Sequence, residues 1–264
     1  MASTTWKRFE IKCAEYLNKK FGRFASFVHK GGPNSTVSDI LVNTKSGKRF
    51  FIDAKHSPAQ CGQFVLKPNP STKSFIYSPE NRTPINQNSE KIIEHMNALF
   101  TEFEKPGTKG KNIIMSNYNE IFPNWIIDAY KHKNVLYIIT NNYIIFPIEQ
   151  FGKYFEVSAK YRIKRSGSSN VGKRRMLDVC EYILHRYDIT SIREEKDKLF
   201  VTSTELLDNC HFSLNEHEYM FSRRGLEYEI RKLSKTLNAN VIFSINLRQN
   251  TGGISENDFI QALK

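Results

Sequence analysis

The segment Arg49-Phe50-Phe51-Ile52-Asp53-Ala54-Lys55 constrains this chain more than any other. Its Phe-Phe-Ile run predicts a strand with a buried face, yet the segment ends with a carboxylate and an ammonium two residues apart. Side chains alternate along a strand, so Asp53 and Lys55 project to one face and Ile52 and Ala54 to the other. One face builds core, and the other needs a solvated or metal-bearing cleft. Residues 38–43 form a second apolar strand that opens on Asp39, and Lys45-Ser46-Gly47-Lys48 suits a tight turn joining the two as a hairpin.

Around this hairpin the chain alternates helical and strand periodicity, which predicts an α/β fold. Trp6, Phe9, Cys13, Tyr16 and Leu17 recur at helical spacing and predict a helix over residues 4–20, with Glu10 near the edge of its apolar stripe. Residues 24–29 read as a strand and 31–36 as a loop. Gly31-Gly32 is followed by no Gly-Lys-Ser/Thr and so reads as a plain turn rather than a phosphate cradle. A short strand is expected over 63–66, and four prolines between Pro68 and Pro84 predict a long loop. Ser89 is expected to cap a helix reaching 104, residues 121–130 to form another, and 135–140 with 143–148 a hairpin around Asn141-Asn142. Residues 176–187 read as a helix, the stretch to 233 has no clear period, and 241–247 reads as a buried strand. Residues 248–253 read as a polar turn, and Ser255 is expected to cap a last helix.

Charge narrows the possible partners. Thirty-nine Lys and Arg against 27 Asp and Glu give a formal +12, which attracts polyanions over a Debye length of ~10 Å. Nucleic acid and an anionic membrane are the two candidates. No apolar run approaches the ~20 residues of a spanning helix, and Met1 to Cys13 carries no signal-peptide core, so a cytoplasmic protein without membrane contact is expected. Cys13, Cys61, Cys180 and Cys210 form no Cys-x-x-Cys pair, which predicts buried free thiols rather than a zinc site or disulfides. The aromatic residues fall mostly in periodic segments and read as core.

An acidic residue, a spacer, and then Asp/Glu-x-Lys on a strand is a pattern that phosphodiester hydrolysis can use. Carboxylates can hold Mg²⁺, which neutralises phosphoryl oxygens, and a nearby lysine can orient or activate water. Asp39 with Asp53-Ala54-Lys55 matches that spacing. The pattern is degenerate, and a charged strand face is by itself more often merely solvated. Its placement on adjacent hairpin strands, after a helix bearing Glu10 and in a basic protein, favours chemistry. His56 should point to the opposite strand face, where packing or hydrogen bonding is its expected role.

The runs VSDILV, FFIDAK and SPAQCGQFVL, with WKRFEIKCAEYLNKKFG, FPIEQFGKYFEVSAKYRIKRSGS and TLNANVIFSINL, resemble the HhaI-type type II restriction endonucleases. These are members of the PD-(D/E)xK nuclease superfamily. The likeness spans most of the chain, is strongest over residues 5–67 and weak between 175 and 234. It implies a single restriction-endonuclease-like domain over 1–264, with a central mixed β-sheet flanked by helices. The catalytic core would lie in about 1–160 and the DNA-recognition elements mainly in 160–264. It further implies Mg²⁺-dependent cleavage of double-stranded DNA at GCGC or a similar G+C-rich palindrome, leaving 5′-phosphate ends, with Mn²⁺ able to substitute. A companion DNA methyltransferase would be a separate, non-associated chain, and both monomer and dimer stay open. By position, the resemblance makes Asp39, Asp53 and the Ala54 carbonyl metal ligands and Lys55 the residue that orients water, with Glu10 and Gln63 at the rim. Ser38 stands where the motif's name has proline, and Asp53 where glutamate is expected, which moves the metal by about one methylene. Another nuclease of the superfamily, in repair or junction resolution, and a non-catalytic DNA-binding module are the alternatives.

For DNA contact, the basic run Arg162, Lys164, Arg165, Lys173, Arg174 and Arg175, around a flexible Ser-Gly-Ser-Ser-Asn-Val-Gly centre, is expected to meet phosphates, although most charge runs are simply solvated. Arg248, Gln249 and Asn250, with Lys164-Arg165-Ser166, are the candidates for reading base edges, since Arg and Lys match guanine O6 and N7.

Overall fold

The computed structural model describes residues 2–31, 38–107, 109–165 and 167–264. The loop expected over 31–36 falls almost wholly outside the described residues, and so does Ser166. The chain divides into two compact units, Met1–Arg162 with Ala239–Lys264, and Ile163–Asn238. In order come α1 (Ala2–Phe21), β1 (Ala25–His29), β2 (Ile40–Thr44), β3 (Arg49–Ala54), β4 (Ala59–Asn69), β5 (Ser74–Tyr77), α2 (Gln87–Ala98), α3 (Phe100–Phe103), β6 (Lys111–Ile113), α4 (Tyr118–His132), β7 (Val135–Ile139), β8 (Ile145–Pro147), α5 (Phe151–Tyr154) and β9 (Phe155–Arg165). There follow β10 (Ser168–Asn170), α6 (Lys173–Arg186), β11 (Ile189–Glu195), β12 (Lys198–Ser203), β13 (His211–Leu214), β14 (His217–Arg224), β15 (Glu227–Leu233), β16 (Leu237–Leu247) and α7 (Glu256–Leu263).

The first unit carries a mixed sheet of order β1-β2-β3-β7-β8, in which only the β3 and β7 pair is parallel. The β2 and β3 hairpin turns at Gly47, whose φ of +87° is open to glycine at no steric cost. Cys13, Leu17 and Phe21 of α1 are almost wholly buried and share a core with Val42, Ile52 and Phe259. Each large apolar side chain so buried stabilises the fold by about 1.5–3 kcal/mol.

A second sheet of the same unit has order β5-β4-β16-β9-β6, so the chain's late strand returns between two early ones. Trp125 of α4 stacks on Phe243 at 4.4 Å between ring centroids and also meets Phe64. A Cβ on Gly62 would lie 2.8 Å from Trp125 Cζ3, so this close approach requires glycine. The strand over 241–247 is not buried on both faces: Ser244 and Asn246 point outward from β16, as period 2 dictates.

The expected long loop over 68–84 is instead partly a hairpin. Pro68 sits opposite Phe75, and β4 at Pro68 pairs only with β5, so the N–H that proline lacks is not needed there. The helix expected over 89–104 is two. Asn86, not Ser89, caps α2: its side chain accepts from the Ser89 N–H at 2.8 Å, while the Ser89 hydroxyl accepts from the Asn86 N–H, a reciprocal capping box.

The second unit explains the stretch without a clear period. Its antiparallel sheet, β11-β12-β15-β14-β13, packs one face on α6, and charged side chains on its open face mask the alternation. The centre expected to be flexible contains β10, whose Ser168 to Asn170 pair with Leu233 to Arg231. Helix α6 starts at Lys173 rather than 176, which places three cationic residues in its first turn, where the helix dipole disfavours them.

Candidate active site

Asp39 immediately precedes β2, and its backbone and side chain tie three strands. Its carbonyl accepts from the N–H groups of Lys30 and Gly31 at 2.7 and 3.1 Å, and its Oδ2 accepts from the Ala54 N–H at 2.9 Å. In β3, Asp53 lies opposite Ile138 of β7, and the Lys55 N–H donates to the Ile139 carbonyl at 2.9 Å. Lys55 Nζ lies 2.8 Å from Asp53 Oδ2, so the two charged side chains meet on one strand face, as the alternation requires.

Asp39, Asp53, Lys55 and Gln63 line one cleft of about 540 Å³, together with Ser38, Cys61, Arg82, Tyr130 and Lys133. The Gln63 side chain is exposed at its rim, and its Oε1 accepts from Gln60 Nε2 at 3.1 Å. Glu10 is buried but does not line this cleft. Its Oε2 meets His29 Nε2 at 3.0 Å, although its charge still reaches Asp39. His56 packs edge-on against Phe9 at 5.3 Å, in keeping with a packing role.

The electrostatics separate the two aspartates. Burial pushes the Asp39 carboxyl up, the Asp53 charge adds to the rise, Lys55 and the Ala54 N–H oppose it, and the result is a value of about 8. Burial acts on Asp53 too, but the charge and hydrogen bond of Lys55, with hydrogen bonds from Tyr130 and Asp39, bring it below the ordinary carboxylate range. Burial lowers Lys55, but Asp53 and Asp39 overcome this and raise it above its ordinary value, so the ammonium stays charged. Two acids thus share one close cation in a cleft open to solvent.

Tyr130 and Cys61 escape sequence reasoning. The Tyr130 hydroxyl donates to Asp53 Oδ2 at 2.6 Å and lies 3.2 Å from Cys61 Sγ. Helical periodicity marks Tyr130 only as buried. A buried hydroxyl needs a partner, which is the one available signal, but the partner stands 77 residues earlier.

The basic candidates spread over both units. In the first, Arg248 is exposed, 3.3 Å from Glu156, beside exposed Gln249 and Asn250, and Arg162 is half-buried on β9. In the second, Lys164, Lys173 and Arg174 are exposed and Arg175 is half-buried, while Arg165 is ion-paired with Glu218.

No protein-family model matches the chain, and no curated protein does. A solved structure of HhaI endonuclease in complex with DNA matches it at a TM-score of 0.74 and 38% identity, covering 98% of each chain. Identity at that level across both full lengths, on a mixed α/β architecture of this size, extends well beyond a shared topology. The chain belongs to the HhaI-type family of type II restriction endonucleases.

Proposed function

We propose that this endonuclease cleaves double-stranded DNA at GCGC or a similar G+C-rich palindrome, with Mg²⁺ as its cofactor, leaving 5′-phosphate ends. The observation that carries the reading is the convergence of Asp39, Asp53 and Lys55 in one solvent-open cleft, with Lys55 Nζ 2.8 Å from Asp53. The relative's complex with DNA supports the substrate class.

The donor set fits the ion. Two carboxylates and the Ala54 carbonyl are hard oxygen ligands, and burial together with the Asp53 charge raises Asp39, a cost that a cation held by the two acids would relieve. Among the described residues no group of three or more His, Cys, Asp or Glu is placed for a metal, so water would complete the shell, as Mg²⁺ commonly retains it. When bound, Mg²⁺ would supply charge neutralisation on the phosphoryl oxygens and help for the leaving group. Lys55, held charged by its neighbours, orients the attacking water and opposes developing negative charge. Asp53 fixes the ammonium, and Asp39, anchored to the Ala54 N–H, keeps the two strands in register at the site.

The DNA-recognition elements are assigned mainly to 160–264. Arg162, Lys164, Arg165, Lys173, Arg174 and Arg175 serve as phosphate contacts, and the cationic first turn of α6 supports this, since such a placement costs helix stability. Arg248, Gln249 and Asn250 serve as base readers. A digest of a mapped plasmid with Mg²⁺ tests the whole reading. Discrete bands that coincide with G+C-rich palindromes are expected, a smear removes site specificity, and intact DNA removes the cleavage reading.

A further inference from the structure

Tyr130 is 5% exposed, and its hydroxyl lies inside the charged group that the cleavage reading uses. It donates to Asp53 Oδ2 at 2.6 Å, and Lys55 Nζ meets the same oxygen at 2.8 Å. Both donors converge on Oδ2, and Asp39 adds a further side-chain hydrogen bond to the Asp53 carboxylate. A phenol has one hydrogen to give, and here it goes to a carboxylate that lysine also meets. The contact between Cys61 Sγ and the Tyr130 oxygen at 3.2 Å must then run the other way, with the thiol donating. The order is Cys61 to Tyr130 to Asp53.

The fold holds this chain of donors firmly. Tyr130 lies near the end of α4, which is anchored by Trp125 against Phe243 and Phe64 and runs almost directly into β7, the parallel neighbour of β3. Cys61 comes from β4, so three separate elements meet at one phenol oxygen.

We infer that Tyr130 is a positioning residue that clamps Asp53 through Oδ2 and so fixes the orientation in which this carboxylate would meet a divalent cation, with Cys61 fixing the phenol in turn. The inference rests on Asp53 being a cation ligand, as proposed above. Groups that orient a metal-binding carboxylate typically change metal affinity or activity by about 10- to 100-fold when removed.

The test is Tyr130→Phe in the full chain, which removes one oxygen and keeps the ring. Mg²⁺ affinity is measured by calorimetry without DNA, cleavage by single-turnover kinetics on a cognate duplex, and DNA affinity with Ca²⁺ in place of Mg²⁺. Mg²⁺ affinity and cleavage rate are expected to fall about 10- to 100-fold while DNA affinity holds. The control is Tyr161→Phe, another buried tyrosine, whose hydroxyl donates to the Leu66 carbonyl at 2.8 Å. It loses the same atom elsewhere, so its unfolding temperature falls while Mg²⁺ affinity stays. Wild-type Mg²⁺ affinity and rate in Tyr130→Phe overturn the inference. So does an equal loss in both variants, which reports general loosening, and so does failure of Tyr130→Phe to fold, which assigns the hydroxyl to stability. If the wild-type protein cleaves but Tyr130→Phe cleaves equally, only this inference falls. If the wild type binds no divalent cation, the reading of Asp53 falls with it.

Discussion

Acids held inside the two units are neutralised in opposite ways. In the cleft, Asp39 and Asp53 share the ammonium of Lys55, so negative charge exceeds the close positive charge. In the second unit, Glu229 is 5% exposed and sits between Arg224 at 2.9 Å and Arg231 at 2.5 Å, so positive charge exceeds negative. Burial raises Glu229, yet the hydrogen bonds from Arg231 and Arg224 bring it below its ordinary value, whereas Asp39 is driven up to about 8. A carboxylate kept for stability is given its full complement of donors. In the proposed reading the cleft acids are instead left wanting a cation, and perturbed carboxylates in a cleft are candidates for a functional site for that reason.

The largest expected effect follows from removing the cleft's own charges. Lys55→Ala or Asp39→Ala should lower the cleavage rate by about 10²–10³-fold or more, while DNA binding by gel shift remains measurable. Wild-type cutting by either variant would erase the functional side of the contrast.

Stability should respond in the reverse sense. Glu229→Ala leaves two guanidiniums without their shared acceptor and should cost about 1–3 kcal/mol in urea unfolding. Asp39→Asn keeps an oxygen acceptor for the Ala54 N–H and removes a like-charge repulsion, so it should stabilise by about 0.5–2 kcal/mol. Destabilisation by Asp39→Asn would mean that the cleft acids are structural after all.

Exposed charge extends the contrast. Arg248→Ala should erode discrimination between cognate and altered sites by about 1–3 kcal/mol. Arg174→Ala should weaken binding alike on every sequence and reduce the salt slope by about one. Competition binding at several salt concentrations separates the two, and the opposite pattern would exchange their roles.

The smallest effect is in pH. Glu229 has a folded value below its unfolded one, so its contribution is fully present above the ordinary value of 4.5 and is lost as pH falls through the lower folded value. Unfolding midpoints from pH 7 downward should fall less steeply in Glu229→Gln than in the wild type; identical slopes would show that the arginines do not hold it.

The sequence by itself determined the local arrangement of the site. Alternation along residues 49–55 put Asp53 and Lys55 on one strand face, and Gly47 closed the hairpin that brings Asp39 alongside, because period and turn geometry act over a few residues. Helix periodicity likewise located α1 and its core face. Where local signals competed, the reading failed: the prolines after Leu66 masked the β4 and β5 hairpin, since a strand with one free edge tolerates what a central strand does not. Only the tertiary structure decided the rest. It seated β16 between β4 and β9, gave Glu10 to His29 instead of the cleft, and brought Cys61 and Tyr130 to Asp53. Those partners are chosen by packing between elements far apart in the chain, and a hydroxyl's need for an acceptor does not say which of many acceptors will fold against it.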